Sequence, residues 1–352
     1  MKSYLMLSVT LKGFFHSLIP LLLISVSILL FTPSRGVCTE NSNKKVVSQF
    51  QELNYTKGEI TIAQVEFDGI ERDFRYYVPK NFNKNKKHPL ILVLHGYNQP
   101  IDTIISGYSS MHMEADRDET VIIYPVATGS MEEKNLAWNT KYGSLGNAGK
   151  VDDIGYLAFL IDMFTEKMNC DPDRVYITGT SMGGAMTYTL SCYIPDKIAA
   201  IAPVIMQMGT ALIEEFKNAK PMPVMMINGS QDPLVPEWGL SGERFGVVPM
   251  VDNIHYWKNR NRITATARVS DLPDICEEIT DKKPTPSKIR KYVWKDPNNN
   301  DIIWLNVING GHWLPGYFDG KAIDPGTFEL KMGTWNCDYD AAAAIYNFFI
   351  SR

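Results

Sequence analysis

Arg174-Val175-Tyr176-Ile177-Thr178-Gly179-Thr180-Ser181-Met182-Gly183-Gly184 decides how the rest of the chain is read. Its first five residues are a β-branched and aromatic run of strand type. From Gly183 to Tyr193 the pattern turns helical. Between them the chain must pass from strand to helix in very few residues while Ser181 is held in a strained backbone conformation. Glycines on either side let neighbouring backbone approach without a Cβ clash. The pattern G-x-S-x-G is weak alone; a strand before it and a helix after it are the context that a nucleophile elbow requires.

Other continuous apolar runs flank this one. Pro89 to Leu94 ends in His95-Gly96, Val121 to Tyr124 is a second run, and Val224 to Ile227 a third. Strands buried on both faces read this way, and they are typical of parallel sheets covered by helices. Asp153 to Met168 carries Ile154, Leu157, Leu160, Ile161 and Phe164 at helical spacing, with an Asp pair able to cap its start. The alternation of strand and helix predicts an α/β fold with a doubly wound, mostly parallel sheet and helices on both faces. Before it, Ile60 to Phe67, the turn Asp68-Gly69 and Arg72 to Val78 read as a hairpin. After it, Pro236 to Pro286 loosens into an insertion with a helical piece at Val251 to Asn259. Tyr292 to Trp294 and Ile302 to Ile308 then alternate around Pro297-Asn298-Asn299-Asn300, and Asp340 to Phe349 forms a closing helix. Residues 59–352 thus read as a single catalytic domain.

The ends and the composition narrow the setting. Lys2 and Lys12 precede an apolar run from Leu18 to Phe31, with no acidic residue before Glu40. This reads as a signal peptide over residues 1–36, the alternative being an uncleaved anchor; a spanning helix needs about 20 apolar residues. The expected location is therefore secreted or periplasmic. Residues 37–58 are polar and read as a tail. Of 352 residues, 45% are hydrophobic and 21% charged, and the net charge of −4 leaves no basic footprint for nucleic acid. The five cysteines, Cys38, Cys170, Cys192, Cys276 and Cys337, contain no C-x-x-C, which argues against a zinc site. An oxidising compartment permits disulfides with one thiol left over, in a connectivity that spacing leaves open.

A serine hydroxyl needs a base to take its proton. In an elbow fold the partners follow in the order Ser, Asp or Glu, His. Two histidines lie beyond Ser181. His255 sits within a helical stretch, whereas His312 follows the strand Ile302 to Ile308 in Asn309-Gly310-Gly311-His312, where this architecture places its sites. His312 is the expected base. Asp232 follows the strand Val224 to Ile227 and is the expected acid that orients the imidazole. Charge building on a carbonyl oxygen needs waiting donors. The backbone N–H groups of Met182 and Tyr97 are the candidates, with His95 structural. Trp138 and Trp313 are candidate aromatic surfaces for a phenolic acid or a sugar.

Taken together, His95-Gly96 with Gln99, Trp138-Asn139, Val151-Asp152-Asp153-Ile154-Gly155, Asp173 to Gly179 with Ser181-Met182-Gly183-Gly184, and Gly310-Gly311-His312 resemble the secreted poly(3-hydroxybutyrate) depolymerase and feruloyl esterase group of carbohydrate esterase family one. The resemblance runs from about Glu59 to Arg352. It implies an α/β-hydrolase fold, a Ser181, Asp232, His312 triad, no cofactor or metal, and an ester substrate that is polysaccharide-linked or polymeric. Two places depart from the group. Gly310-Gly311-His312-Trp313-Leu314-Pro315-Gly316 carries its tryptophan one position early, and Tyr97-Asn98-Gln99 stands where Cys-Thr-Gln is common. Both touch the rim of the cleft. The resemblance leaves open feruloyl or acetyl esters of plant cell-wall polysaccharide, a short-chain polyester, and a catalytically inactive scaffold that only binds. Asp152 and Asp153 are expected to cap a helix and tether a loop.

Overall fold

The computed structural model describes residues 45–47, 53–140, 151–242, 246–275, 287–316 and 332–352, all within the unit Asn43–Arg352. The apolar leader, Cys38 and Cys276 lie outside the described residues. The strands are β1 (Lys45–Val47), β2 (Ile60–Phe67), β3 (Ile70–Tyr77), β4 (His88–Leu94), β5 (Val121–Pro125), β6 (Cys170–Thr180), β7 (Ala200–Val204), β8 (Val224–Gly229), β9 (Arg268–Asp271), β10 (Lys288–Trp294) and β11 (Ile302–Ile308). They form one sheet in the order β1-β2-β3-β5-β4-β6-β7-β8-β11-β10-β9. From β5 to β11 in that order all neighbours are parallel, and antiparallel pairs flank this stretch on both sides.

Helices cover both faces. Residues of α3 (Asp153–Lys167), α4 (Met182–Tyr193) and α6 (Met250–Arg260) share a core with Leu90, Leu92, Leu94, Val175 and Ile177. Residues of α1 (Ile101–Gly107), α2 (Ser110–Asp118) and the last helix share a second core with Ile91, Val93 and Tyr176. The alternation along β4 and β6 assigns successive residues to opposite faces, and both faces are buried, which is why these strands are apolar throughout. Each such fully buried side chain contributes about 1.5–3 kcal/mol. The short α5 (Thr210–Glu215) and the closing α7 (Ala341–Ile350) complete the described helices. This is the doubly wound α/β architecture expected from the alternation, and it agrees with the α/β-hydrolase fold that the resemblance implied. No helix among the described residues is long and apolar enough to cross a membrane.

Two expectations need correcting, and one strand was missed. Part of the polar segment 37–58 is built into the sheet: β1 pairs parallel with β2, and Leu53 is buried. Edge pairing uses main-chain groups, so a polar sequence does not forbid it. The segment 236–286 is not only an insertion, because α6 buries Trp257 and Asn253 in the core and β9 extends the sheet beside β10; residues 276–286 lie outside the described residues. Finally, β7 escapes the sequence reading because it is short and carries Pro203, a residue that argues against a central strand. Asp152 accepts from Gly155 N at the start of α3, as expected of a cap. Asp153 accepts from Asn139 N (2.7 Å) and pairs with the buried Arg72, which lies 3.8 Å above the Tyr156 ring. Cys337 is disulfide-bonded, its partner lying outside the described residues, while Cys170 and Cys192 are buried free thiols.

Candidate active site

The elbow lies at the C-terminal end of β6, where Ser181 has φ 53° and ψ −117° as the residue before α4. A non-glycine residue there stores about 1–3 kcal/mol of strain. The conformation is held by Ser181 N donating to Val204 O (2.9 Å) and by Ala185 N donating to Ser181 O (2.9 Å). The turn also needs close packing: a Cβ at residue 183 would lie 2.1 Å from Leu94 O, so only glycine lets α4 begin against the end of β4.

The candidate acid and base come from loops that follow neighbouring parallel strands. Asn228 on β8 is level with Asn306 on β11, so the loops that follow leave the sheet side by side. They are stitched together by Ser230 N donating to Val307 O (3.0 Å) and Gln231 N to Gly310 O (2.9 Å). Asp232 Oδ2 lies 2.6 Å from His312 Nδ1, and both side chains are buried. The other carboxylate oxygen accepts from Leu234 N and Val235 N, each at 2.8 Å. An acceptor held this way orients the ring with its proton on Nδ1. His312 Nε2 then has no hydrogen-bond partner among the described residues, and neither does Ser181 Oγ. His312 N donates to Met332 O (2.6 Å), which anchors the base from the other side.

Next to the elbow runs the loop after β4. His95 is fully buried, its Nδ1 lying 2.7 Å from Gly96 O and its Nε2 accepting from Ala127 N at 3.0 Å. Burial pushes its imidazole down to about 4, so it is neutral and serves as a strut. Tyr97 is partly exposed, and its hydroxyl donates to Lys134 O at 2.5 Å. The backbone N–H of Tyr97 and that of Met182 have no partner among the described residues. The structure therefore leaves free both donors that the sequence singled out. Trp138 is placed differently from the expectation. It is fully buried, packed at a tilt against His95 with centroids 5.0 Å apart, and its indole N–H donates to His95 O at 2.9 Å. It supports the loop from below and presents no surface to a ligand. Trp313 is part-buried and donates to Gly333 O at 2.9 Å. The reading from sequence also passed over Gln99 as a working residue. Its side-chain oxygen accepts from Gly96 N (2.7 Å) and Thr180 Oγ1 (3.1 Å). A glutamine a few residues beyond a strand carries no local signal of such a role.

With this geometry in hand, comparison with known proteins is informative. The family model described as Esterase PHB depolymerase matches residues 73–237, which include the elbow and the Asp232 loop. The chain is 29% identical over 206 residues to the bifunctional acetylxylan esterase/xylanase XynS20E of Neocallimastix patriciarum, covering 56% of this chain and 28% of that protein. It is 27% identical over 250 residues to feruloyl esterase B of Piromyces equi, covering 69% of this chain and 42% of that protein. It is 30% identical over 256 residues to NocK of Nocardia uniformis subsp. tsuyamanensis, described as an esterase, covering 70% of this chain and 71% of that one. The chain thus spans less than half the length of the first two relatives.

Proposed function

This chain belongs to the PHB depolymerase esterase family, and on that premise we propose that it hydrolyses carboxylic esters through an acyl-enzyme on Ser181. The observation that carries the proposal is the 2.6 Å contact of His312 Nδ1 with Asp232 Oδ2, made between strand ends in the order Ser, Asp, His. That contact leaves Nε2 as a base. In the first step Nε2 takes the Ser181 proton as Oγ attacks the ester carbonyl, and the developing oxyanion is met by the N–H groups of Tyr97 and Met182. The carbonyl re-forms, the C–O bond to the alcohol breaks, and His312 returns the proton to the leaving alkoxide. Water then attacks the acyl-enzyme with His312 again as base, releasing the acid and free Ser181. Asp232 stabilises the imidazolium in both halves.

Feruloyl or acetyl esters on plant cell-wall polysaccharide are the substrate class we favour. Support comes from the relatives named feruloyl esterase and acetylxylan esterase. A short-chain polyester is the second reading, favoured by the match to the depolymerase family model and by a relative named poly(3-hydroxybutyrate) depolymerase. The basic start and the apolar run from Leu18 to Phe31 support export. Ser181→Ala should abolish turnover of p-nitrophenyl acetate while leaving the fold intact; turnover retained by that variant would refute the acyl-enzyme. A kcat/KM comparison of methyl ferulate, acetylated xylan and 3-hydroxybutyrate oligomers then decides the class. Activity confined to the oligomers would overturn the cell-wall reading.

A further inference from the structure

We infer that Gln99 is the positioning residue that sets one half of the oxyanion site in register with the other; this rests on the acyl-transfer reading above. The two N–H groups assigned to the oxyanion belong to separate elements. Tyr97 lies on the loop after β4, and Met182 opens α4. Beyond the last β4–β6 pair, Leu94 with Gly179, these elements approach closely: a Cβ on residue 96 would sit 3.4 Å from both Ser181 Cβ and Thr180 O. Gln99 bridges them with one atom. Its Oε1 accepts from Gly96 N at 2.7 Å and from Thr180 Oγ1 at 3.1 Å. Gly96 is the residue before one donor's peptide, and Thr180 precedes Ser181 itself.

The other ties of this loop run the opposite way. Asn98 N donates to Leu136 O (2.9 Å), and the Tyr97 hydroxyl reaches Lys134. Among the described residues, no other side-chain hydrogen bond joins residues 95–99 to residues 179–184. Gln99 N also donates to Gly96 O (3.3 Å), which folds the side chain back over its own turn and gives it a short, pre-set reach. The carboxamide oxygen of Gln99 therefore ties the two donor-bearing segments together just past the last pair of the β4–β6 ladder, Leu94 with Gly179. A displacement of about 1 Å at a catalytic group costs on the order of 100-fold in rate, and complete loss of one oxyanion donor costs about 100- to 1,000-fold.

Gln99→Met keeps the length of the side chain and deletes the acceptor. With p-nitrophenyl acetate, kcat should fall about 10- to 100-fold, while KM stays within about twofold. Binding of phenylboronic acid, which forms a tetrahedral adduct on the serine, should weaken by a comparable factor. Thr180→Val, which removes the donor on the elbow side, should shift kcat in the same direction, and Thr180→Ser should rescue it. The inference is overturned if Gln99→Met keeps kcat/KM within about twofold of wild type, if its loss lies in KM alone, or if Thr180→Ser is as impaired as Thr180→Val. Should Gln99→Met fail to fold, the two Thr180 variants are read by the same criteria. A wild-type chain that neither turns over the ester nor labels with a fluorophosphonate would instead sink the acyl-transfer reading.

Discussion

Asp232→Asn tests the tautomer argument most sharply, because the structure dictates which way the new amide must face. Oδ1 of Asp232 accepts two backbone N–H groups, Leu234 N and Val235 N, while Oδ2 faces His312 Nδ1. The carboxamide oxygen of the variant has to keep the two N–H partners. Turning the amide round would point its NH2 group at two donors and leave both unpaired in a buried site, at about 1–3 kcal/mol each. The NH2 group therefore faces His312 Nδ1, which can then only accept. The imidazole proton moves to Nε2, and the base that Ser181 needs is gone. In a serine protease triad the equivalent change costs about 10⁴-fold in kcat, which corresponds to about 5.4 kcal/mol of transition-state stabilisation. The same order is expected here with p-nitrophenyl acetate, together with slowed fluorophosphonate labelling of Ser181. Because both backbone caps survive, the thermal midpoint should remain close to wild type. Asp232→Ala should lose activity and also loosen the 233–236 turn. A folded Asp232→Asn variant with kcat within about tenfold of wild type would refute the assignment of Asp232 as the orienting acid.

Four further outcomes are expected. Ser181→Gly should abolish hydrolysis and yet raise stability by about 1 kcal/mol, since glycine adopts φ 53° without strain; a lowered urea midpoint would contradict the strain. Burial pushes His112 down from 6.5 to about 4, partly offset by Asp116, so its share of stability is present above pH 6.5 and is lost as pH falls toward 4. His112→Phe, which can keep the stack on Tyr77, should therefore remove about 2 kcal/mol of the stability drop between pH 7 and pH 5; an unchanged slope in urea titrations would count against it. Arg72→Met leaves the Asp153 carboxylate buried without its cation, a carboxyl that burial already pushes up, and should cost about 3–5 kcal/mol by chemical denaturation. Cys170 and Cys192 are buried, burial pushes both thiols up, and they should react with a thiol reagent only after unfolding.

How much of this was legible in the sequence follows from how local each signal is. The elbow, the strand before it and the helix after it are contiguous, so Ser181 could be placed from one stretch of chain. Asp232 and His312 were readable because each follows an apolar strand, and β8 and β11 end at the same level of the sheet. Short strands were not readable: Pro203 hides β7, and the three-residue β1, Lys45-Val46-Val47, lies in an otherwise polar segment and is held by main-chain pairing.

Local chemistry in the sequence by itself pointed to the fold class, the candidate nucleophile, its two candidate partners and the reaction proposed for them. Only the tertiary structure decided what the aromatic and amide groups around them do. Trp138 reads as a binding surface in sequence and is a buried support beneath His95. Gln99 enters the sequence reading only as part of a family motif with no role of its own, and in the structure it bonds Thr180, 81 positions away. The physical reason is that hydrogen-bond partners distant in sequence are chosen by packing, which periodicity and spacing along the chain do not encode.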